Sequence, residues 1–120
     1  MTDLHPISLR LSFAGHPKFG PGKAALLEHI RDTGSISKAG RAMEMSYKRA
    51  WSLVEEMNRM FHPPLVASSR GGVDGGGATL TQEGAMVLAE YRALEQVALT
   101  AGAAQLAAIH RRLTDISDKK

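Results

Sequence analysis

The side chains best suited to chemistry lie between Gly34 and Ser52, and they are cations and hydroxyls. Lysine and arginine bind phosphate oxygens, and arginine also binds guanine edges. Serine hydroxyls and free backbone N–H groups at a helix start suit a phosphate oxygen as well. The candidate contacts in this segment are Ser35, Ser37, Lys38, Ser46, Tyr47, Lys48, Arg49 and Ser52. These residue types favour binding of a nucleic acid over catalysis.

Other site chemistries have few candidates in this sequence. The absence of cysteine excludes disulfides, thiolate metal sites and cysteine nucleophiles. The histidines, at positions 5, 16, 29, 62 and 110, show no pair at the helical spacing of metal ligands. Glu55 and Glu56 are neighbours on one predicted helix, about 100° apart, and do not form a general acid/base pair. We therefore expect no catalytic residue, no metal site, no cofactor and no enzyme activity.

Positive charge is concentrated in the middle of the chain. The formal net charge is +3, and residues 35–70 contain six lysines and arginines against three glutamates. A polyanion could use that excess. The amino terminus has no signal-peptide pattern and no 18-residue apolar run is present, so we expect a cytoplasmic protein without a membrane partner.

The elements that position the candidate contacts are short helices with clear start and stop signals. The predicted helices cover residues 23–33, 36–43 and 47–61. Gly34 ends the first, and the hydroxyls of Ser35 and Ser46 cap the second and third. Small Ala39 and Gly40 let the second helix cross the third closely, so that the start of the third helix projects outward. This arrangement predicts a helix-turn-helix with a recognition helix beginning at Tyr47.

A hairpin is predicted after the third helix. Residues 65–69 and 78–80 fit two short strands, joined by a glycine-rich tip with Arg70 at its base. The tip lacks the Lys-Ser or Lys-Thr of a nucleotide loop, so we interpret it as a wing whose backbone approaches DNA, with Arg70 as a further contact. An additional strand is predicted at residues 7–13, where apolar and polar residues alternate.

Two aromatic residues on the third helix have alternative interpretations. An aromatic side chain on a helix is more often packed than stacked on a base. On that ground we expect Trp51 to be mainly in the core, whereas Tyr47 suits packing and DNA contact about equally well.

A fourth helix is predicted from its cap, Thr81, to about Leu113, and it is apolar on two sides. Such a helix is usually buried between partners, and small alanines permit close approach. We expect a homodimer interface formed by Val87, Tyr91, Leu94, Ala98, Ala101 and Leu106. The alternative is that one side packs on its own domain and the remaining alanines have no partner.

Together these elements predict an α+β, mainly α fold: a winged helix-turn-helix with a long C-terminal dimerisation helix. The expected division is a DNA-binding domain at residues 1–80 and a dimerisation helix with its tail at residues 81–120.

The motifs also resemble a known family. The run ALLEHIRDTGSISKAGRAMEMSYKRAW, then PLV, then GGxxGGGAxLTxxG is similar to the amino-terminal domain of ModE-type, molybdate-responsive regulators, whose winged helix is related to that of LysR-type regulators. The resemblance implies DNA binding, dimerisation through the long helix and control of transcription. By position it supports Ser46, Tyr47, Lys48 and Arg49 on the recognition helix and Arg70 on the wing. Because the chain ends soon after the long helix, we expect a stand-alone form lacking the molybdate-binding domain.

The leading hypothesis is therefore a dimeric regulator that binds double-stranded DNA at a roughly palindromic site. One alternative is a protein-interaction module that has kept the winged fold, since a fold does not determine a function. Another is an oxyanion (molybdate)-responsive switch with its ligand between subunits, although the sequence shows no dedicated pocket and any effector is unknown.

Overall fold

The computed structural model describes residues 7–69 and 77–114. Its elements in chain order are α1 (Pro21–Thr33), α2 (Ile36–Ala42), α3 (Tyr47–Met60), β1 (Val66–Ser69), β2 (Gly77–Leu80), α4 (Gln82–Ala101) and α5 (Ala103–His110). The strands β1 and β2 pair antiparallel, with Val66 opposite Leu80 and Ser69 opposite Gly77. The predicted fold class, a mainly α winged helix with a long helix after the wing, is confirmed.

Local signals set the helix boundaries as predicted. Gly34 adopts a left-handed conformation with φ 72°, and its N–H donates to the Ile30 carbonyl to end α1. The Ser35 hydroxyl accepts a 3.0 Å bond from the Lys38 N–H, and the Ser46 hydroxyl accepts one of equal length from the Arg49 N–H. Helix α1 begins two residues earlier than predicted, because Pro21 suits the first turn, and α2 and α3 each end one residue earlier.

The predicted strand at residues 7–13 is wrong in part. Among the described residues of this segment only one isolated bridge forms, in which the backbones of Leu11 and Phe19 exchange bonds of 2.7 and 3.0 Å. The ladder does not extend, because the next hydrogen-bonded partners, opposite Phe13 and Leu9, are Pro17 and Pro21, which have no N–H to donate. The alternation still reflects burial, since Leu9 and Leu11 are half-buried and Arg10 is exposed.

The core is built where α1 meets α3, the wing base and α4. Its largest fully buried side chains are Phe19, Leu26, Leu27, Ile30, Val54, Met57 and Leu65. Phe19 contacts Tyr91 of α4 edge to face at 5.2 Å between ring centroids. The Tyr91 hydroxyl donates a 2.7 Å bond to the Leu9 carbonyl, and burial raises the pKa of its phenol. The first half of α4 therefore belongs to the same core as the helix-turn-helix.

Polar contacts connect α3, the wing and α4. Asn58 of α3 accepts from the N–H groups of Leu65 and Val66 at 2.9 and 3.1 Å, and its amide donates to the Val66 carbonyl at 3.0 Å. Thr81 caps α4 by accepting from the Gly84 N–H, and it also donates to the Pro64 carbonyl at 2.6 Å. Helix α3, the wing base and the start of α4 are thus joined through residues 64–66.

The prediction of one continuous helix from residue 81 to about Leu113 is wrong. Helix α4 ends at Ala101, Gly102 adopts φ −99° and ψ 13°, and α5 begins at Ala103. Glycine is a poor helix former, and α5 has no buried side chain to compensate for it. In residues 7–69 and 77–114, none of the helices has the length and apolar character needed to span a bilayer.

Candidate nucleic-acid interface

A close crossing of α2 over α3 sets the direction of the candidate recognition helix. Ala39 and Gly40 are buried, and a Cβ added at Gly40 would lie 2.9 Å from the Cβ of Ala50. That separation is shorter than a normal carbon–carbon contact. The predicted role of the two small residues is confirmed, because a larger side chain at position 40 would push α2 and α3 apart.

The turn between α2 and α3 uses a residue that the sequence does not reveal as special. Glu44 adopts φ 59°, the left-handed region that usually takes glycine. The Met45 N–H donates to the Gly40 carbonyl at 2.9 Å, and the Glu44 N–H donates to Arg41 at 3.0 Å. This pair of bonds is the Schellman motif, and it reverses the chain so that α3 starts beside the end of α2.

The first turns of α3 point away from the body of the protein. The exposed candidate contacts on this face are Ser46, Tyr47, Lys48, Arg49 and Ser52, with Tyr47 57% exposed. On α2, Lys38 is exposed, whereas Ser35 and Ser37 are half-buried. The structure therefore brings the predicted α3 residues together on one exposed helix end, with Lys38 on the first turn of the neighbouring helix.

The serines of this surface are already engaged within the protein. Ser35 and Ser46 use a hydroxyl oxygen to cap their helices, and Ser37 accepts a 3.2 Å bond from the Arg41 guanidinium. Each hydroxyl keeps one O–H donor. These serines can therefore donate to a phosphate oxygen without giving up their structural bonds.

The electrostatics of the α3 start favour an anion. Neither α2 nor α3 has an acidic residue in its first turn, so no carboxylate there competes for the N–H groups that the serine caps leave free. In the part of the chain that the structure describes, Lys48 and Arg49 form no ion pair. Both charges are free to bind a partner.

The expectation that Trp51 is mainly in the core is wrong, because its side chain is 36% exposed and lies outside the core cluster. It follows Tyr47 by four residues, so the two aromatic rings share the exposed face of α3. Arg70, the predicted wing contact, and the glycine-rich tip at 71–76 lie outside the described residues.

The predicted dimer residues, five on α4 and Leu106 on α5, differ in how far they are exposed. Tyr91 is only 2% exposed, because it is buried in the core of its own chain. The prediction that it forms part of a dimer interface is therefore wrong. Leu94 is 41% exposed and Ala101 is exposed, whereas Val87, Ala98 and Leu106 are half-buried. Val97, 61% exposed, was not among the predicted residues although it lies on the exposed side of α4.

An ion-pair network orients α4 against α1. Arg92 donates to both carboxylate oxygens of Glu28 at 2.9 Å and to Glu95 at 2.9 Å. These hydrogen bonds with Glu28 raise the pKa of Arg92 above its ordinary value. The paired charges fix which side of α4 faces inward.

An apolar cavity adjoins the exposed side of α4. It has a volume of about 260 Å³, and its walls include Leu11, Phe13, Phe61, Met86 and Leu94. Glu83 and Glu90 also line it, and no cation does. The cavity is therefore unsuited to an oxyanion. Across the described ranges, no cluster of three or more histidine, aspartate or glutamate side chains could hold a metal ion.

Comparison with known proteins finds ModE-type relatives over more than half of this chain. The chain is 45% identical over 78 residues to the molybdenum-pterin-binding protein MopB of Rhodobacter capsulatus, covering 65% of this chain and 29% of that protein. It is 46% identical over 70 residues to the molybdenum transport protein ModE of Azotobacter vinelandii, covering 58% and 26%. This chain is related to the ModE-type regulators.

The DNA-binding transcriptional dual regulator ModE of Escherichia coli K12 is 40% identical over 77 residues, covering 64% of this chain and 29% of that protein. The chain thus spans less than a third of the length of these ModE-type relatives. No protein-family model matches it.

Proposed function

We propose that the chain binds double-stranded DNA as a homodimer, reads a roughly palindromic site with its two α3 helices, and regulates transcription. The observation that carries this proposal is the exposed start of α3, where Tyr47, Lys48 and Arg49 project from a close helix crossing. The description of the Escherichia coli relative as a DNA-binding transcriptional regulator supports it.

The geometry suits the major groove of B-DNA. That groove is about 12 Å wide and admits one α-helix. In helix-turn-helix proteins the amino-terminal residues of the second helix meet base edges while the first helix crosses the backbone. Lys48 and Arg49 would supply base or phosphate contacts, and Lys38 on α2 would contact the phosphate backbone.

The direct test is selection of duplexes from a random-sequence library by the full chain. We expect enrichment of a motif with two related, inverted half-sites, and binding that weakens as salt is added. A control selection with bovine serum albumin identifies duplexes retained by the support alone. Failure to enrich any sequence above that control would refute sequence-specific DNA binding.

The dimer is proposed to form along the exposed side of α4. Leu94 and Val97 leave a large apolar area in water, and exposed apolar patches mark interaction sites. We expect the wild-type chain to sediment at twice its 12.9 kDa mass and Leu94→Glu to sediment as a single chain. Burying two carboxylates against each other at a two-fold interface opposes association.

Ala85→Glu is the matched control for this experiment. It adds the same charge at an exposed position of α4, about 180° around the helix from Leu94. We expect it to remain dimeric. Sedimentation of the wild type as a single chain at concentrations that bind DNA would refute the dimer.

A further inference from the structure

A second cationic surface lies beside the recognition helix. A groove of about 310 Å³ opens between α1 and α3, and three separate segments supply its exposed cations. Arg10 comes from the amino-terminal segment, Lys18 from the loop before α1, and Arg49 from the first turn of α3. Because Arg49 also belongs to the candidate recognition surface, the groove is continuous with it.

The Leu11–Phe19 bridge places Arg10 and Lys18 on the same side. In an antiparallel pair the residues flanking Leu11 and Phe19 point opposite to them. Leu11 and Phe19 turn toward the core, so Arg10 and Lys18 turn outward. The Arg10 side chain lies across Gly20, where an added Cβ would be 3.6 Å from the Arg10 Nε and 3.5 Å from its Cγ. The Arg10 side chain therefore passes over the backbone of Gly20, at the edge of the groove.

The side chains that line the groove carry a net positive charge. Lys23 also lines it, but its ammonium group is neutralised by Glu56. Among the described residues, Arg10, Lys18 and Arg49 form no ion pair, and no carboxylate lines the groove. Three uncompensated cations in a concave surface attract an anion that reaches all of them.

We propose that this groove holds backbone phosphate of the same DNA duplex whose major groove receives α3. Arg10 and Lys18 would fix the position of the duplex without contacting bases, and Arg49 would link the two surfaces. The inference rests on the proposed DNA-binding function and assigns to it two residues outside the helix-turn-helix and the wing.

The test compares Arg10→Ala/Lys18→Ala with the wild type on the duplex that the wild type selects. The double variant loses two phosphate contacts in each protomer, four in the proposed dimer, and is expected to bind at least about 10-fold more weakly at moderate salt. The slope of log K against log salt should become shallower by about 3.6, or roughly 0.9 for each phosphate. The order of preference among single-base variants of the duplex should stay unchanged.

Two further variants distinguish the effect of where the cations lie from the effect of the protein's total charge. Arg111→Ala/Arg112→Ala removes the same charge from exposed residues at the end of α5 and should leave the slope unchanged. Arg10→Lys/Lys18→Arg keeps both charges in the groove and should retain at least half of the wild-type affinity. Circular dichroism of each variant confirms that the fold is intact.

The outcomes are distinguishable from those of the proposed function. If the wild type binds its duplex and the double alanine variant matches it in affinity and slope, the groove assignment is overturned and DNA binding stands. An altered base preference with an unchanged slope would also overturn it, because that result indicates base contact. If the wild type selects no duplex, the proposed function fails first and the groove assignment fails with it.

Discussion

Replacing Lys48 or Arg49 by alanine is expected to weaken binding to the selected duplex by about 1–3 kcal/mol each, or roughly 5- to 150-fold. Both side chains leave the first turn of α3 without a carboxylate partner among the described residues. Fluorescence anisotropy at fixed salt measures the loss directly. Arg59→Ala is the matched control, because it removes an exposed cation from the last turn of the same helix.

The pattern of each loss identifies the contact. Loss of a residue that binds phosphate should weaken binding to all duplexes alike and make the salt slope shallower by about 2, or roughly 1 for each protomer of the proposed dimer. A residue that binds a base should relax the preference at one position of the site. Wild-type affinity in both alanine variants would remove α3 from the role of recognition helix.

Gly84→Ala is expected to destabilise the fold by about 2 kcal/mol or more in net terms. A Cβ at this position would lie 2.1 Å from the carbonyl oxygen of Leu65, which is a backbone atom fixed by the wing base. Alanine favours a helix over glycine by about 1 kcal/mol, but relief of the overlap requires α4 to move away from β1, at a cost of about 3 kcal/mol. Urea unfolding followed by circular dichroism gives the change in free energy.

Gly22→Ala provides the comparison for that measurement. Gly22 is exposed in the first turn of α1, and an added Cβ there has no neighbour within 4 Å. Its free energy of unfolding should be unchanged or higher. Equal stability of Gly84→Ala and the wild type would mean that the close contact between α4 and Leu65 does not limit packing.

Local chemistry explains which parts of the fold were predictable. Ser35, Ser46 and Thr81 cap helices through bonds to residues three positions ahead, so their roles follow from neighbouring sequence. The left-handed Glu44 was missed because only the surrounding turn makes glutamate adopt that conformation. Gly102 was missed because a single glycine is tolerated in many helices, and the break depends on how little α5 packs.

Errors in the site came from tertiary contacts. Tyr91 matches the spacing of an apolar helix face, but that face meets Phe19 and the Leu9 carbonyl of its own chain. Trp51 follows the statistics of aromatic residues, but α3 buries Ala50 and Val54 and leaves the indole outside. Alternation in residues 7–13 placed Arg10 outward, yet only the Leu11–Phe19 bridge brings Lys18 beside it.

The junction at residues 64–66 has a consequence for operator spacing. Asn58 and Thr81 attach α3 and α4 to the same short stretch of backbone, so no hinge separates the DNA-reading helix from the proposed dimer helix. In the proposed dimer, the separation of the two α3 helices would be a constant of the assembly. Inserting one base pair between half-sites rotates one of them by roughly 34–36° about the duplex axis. Such a dimer would bind weakly to operators whose half-sites have a different spacing, even when the sequence of each half-site is ideal.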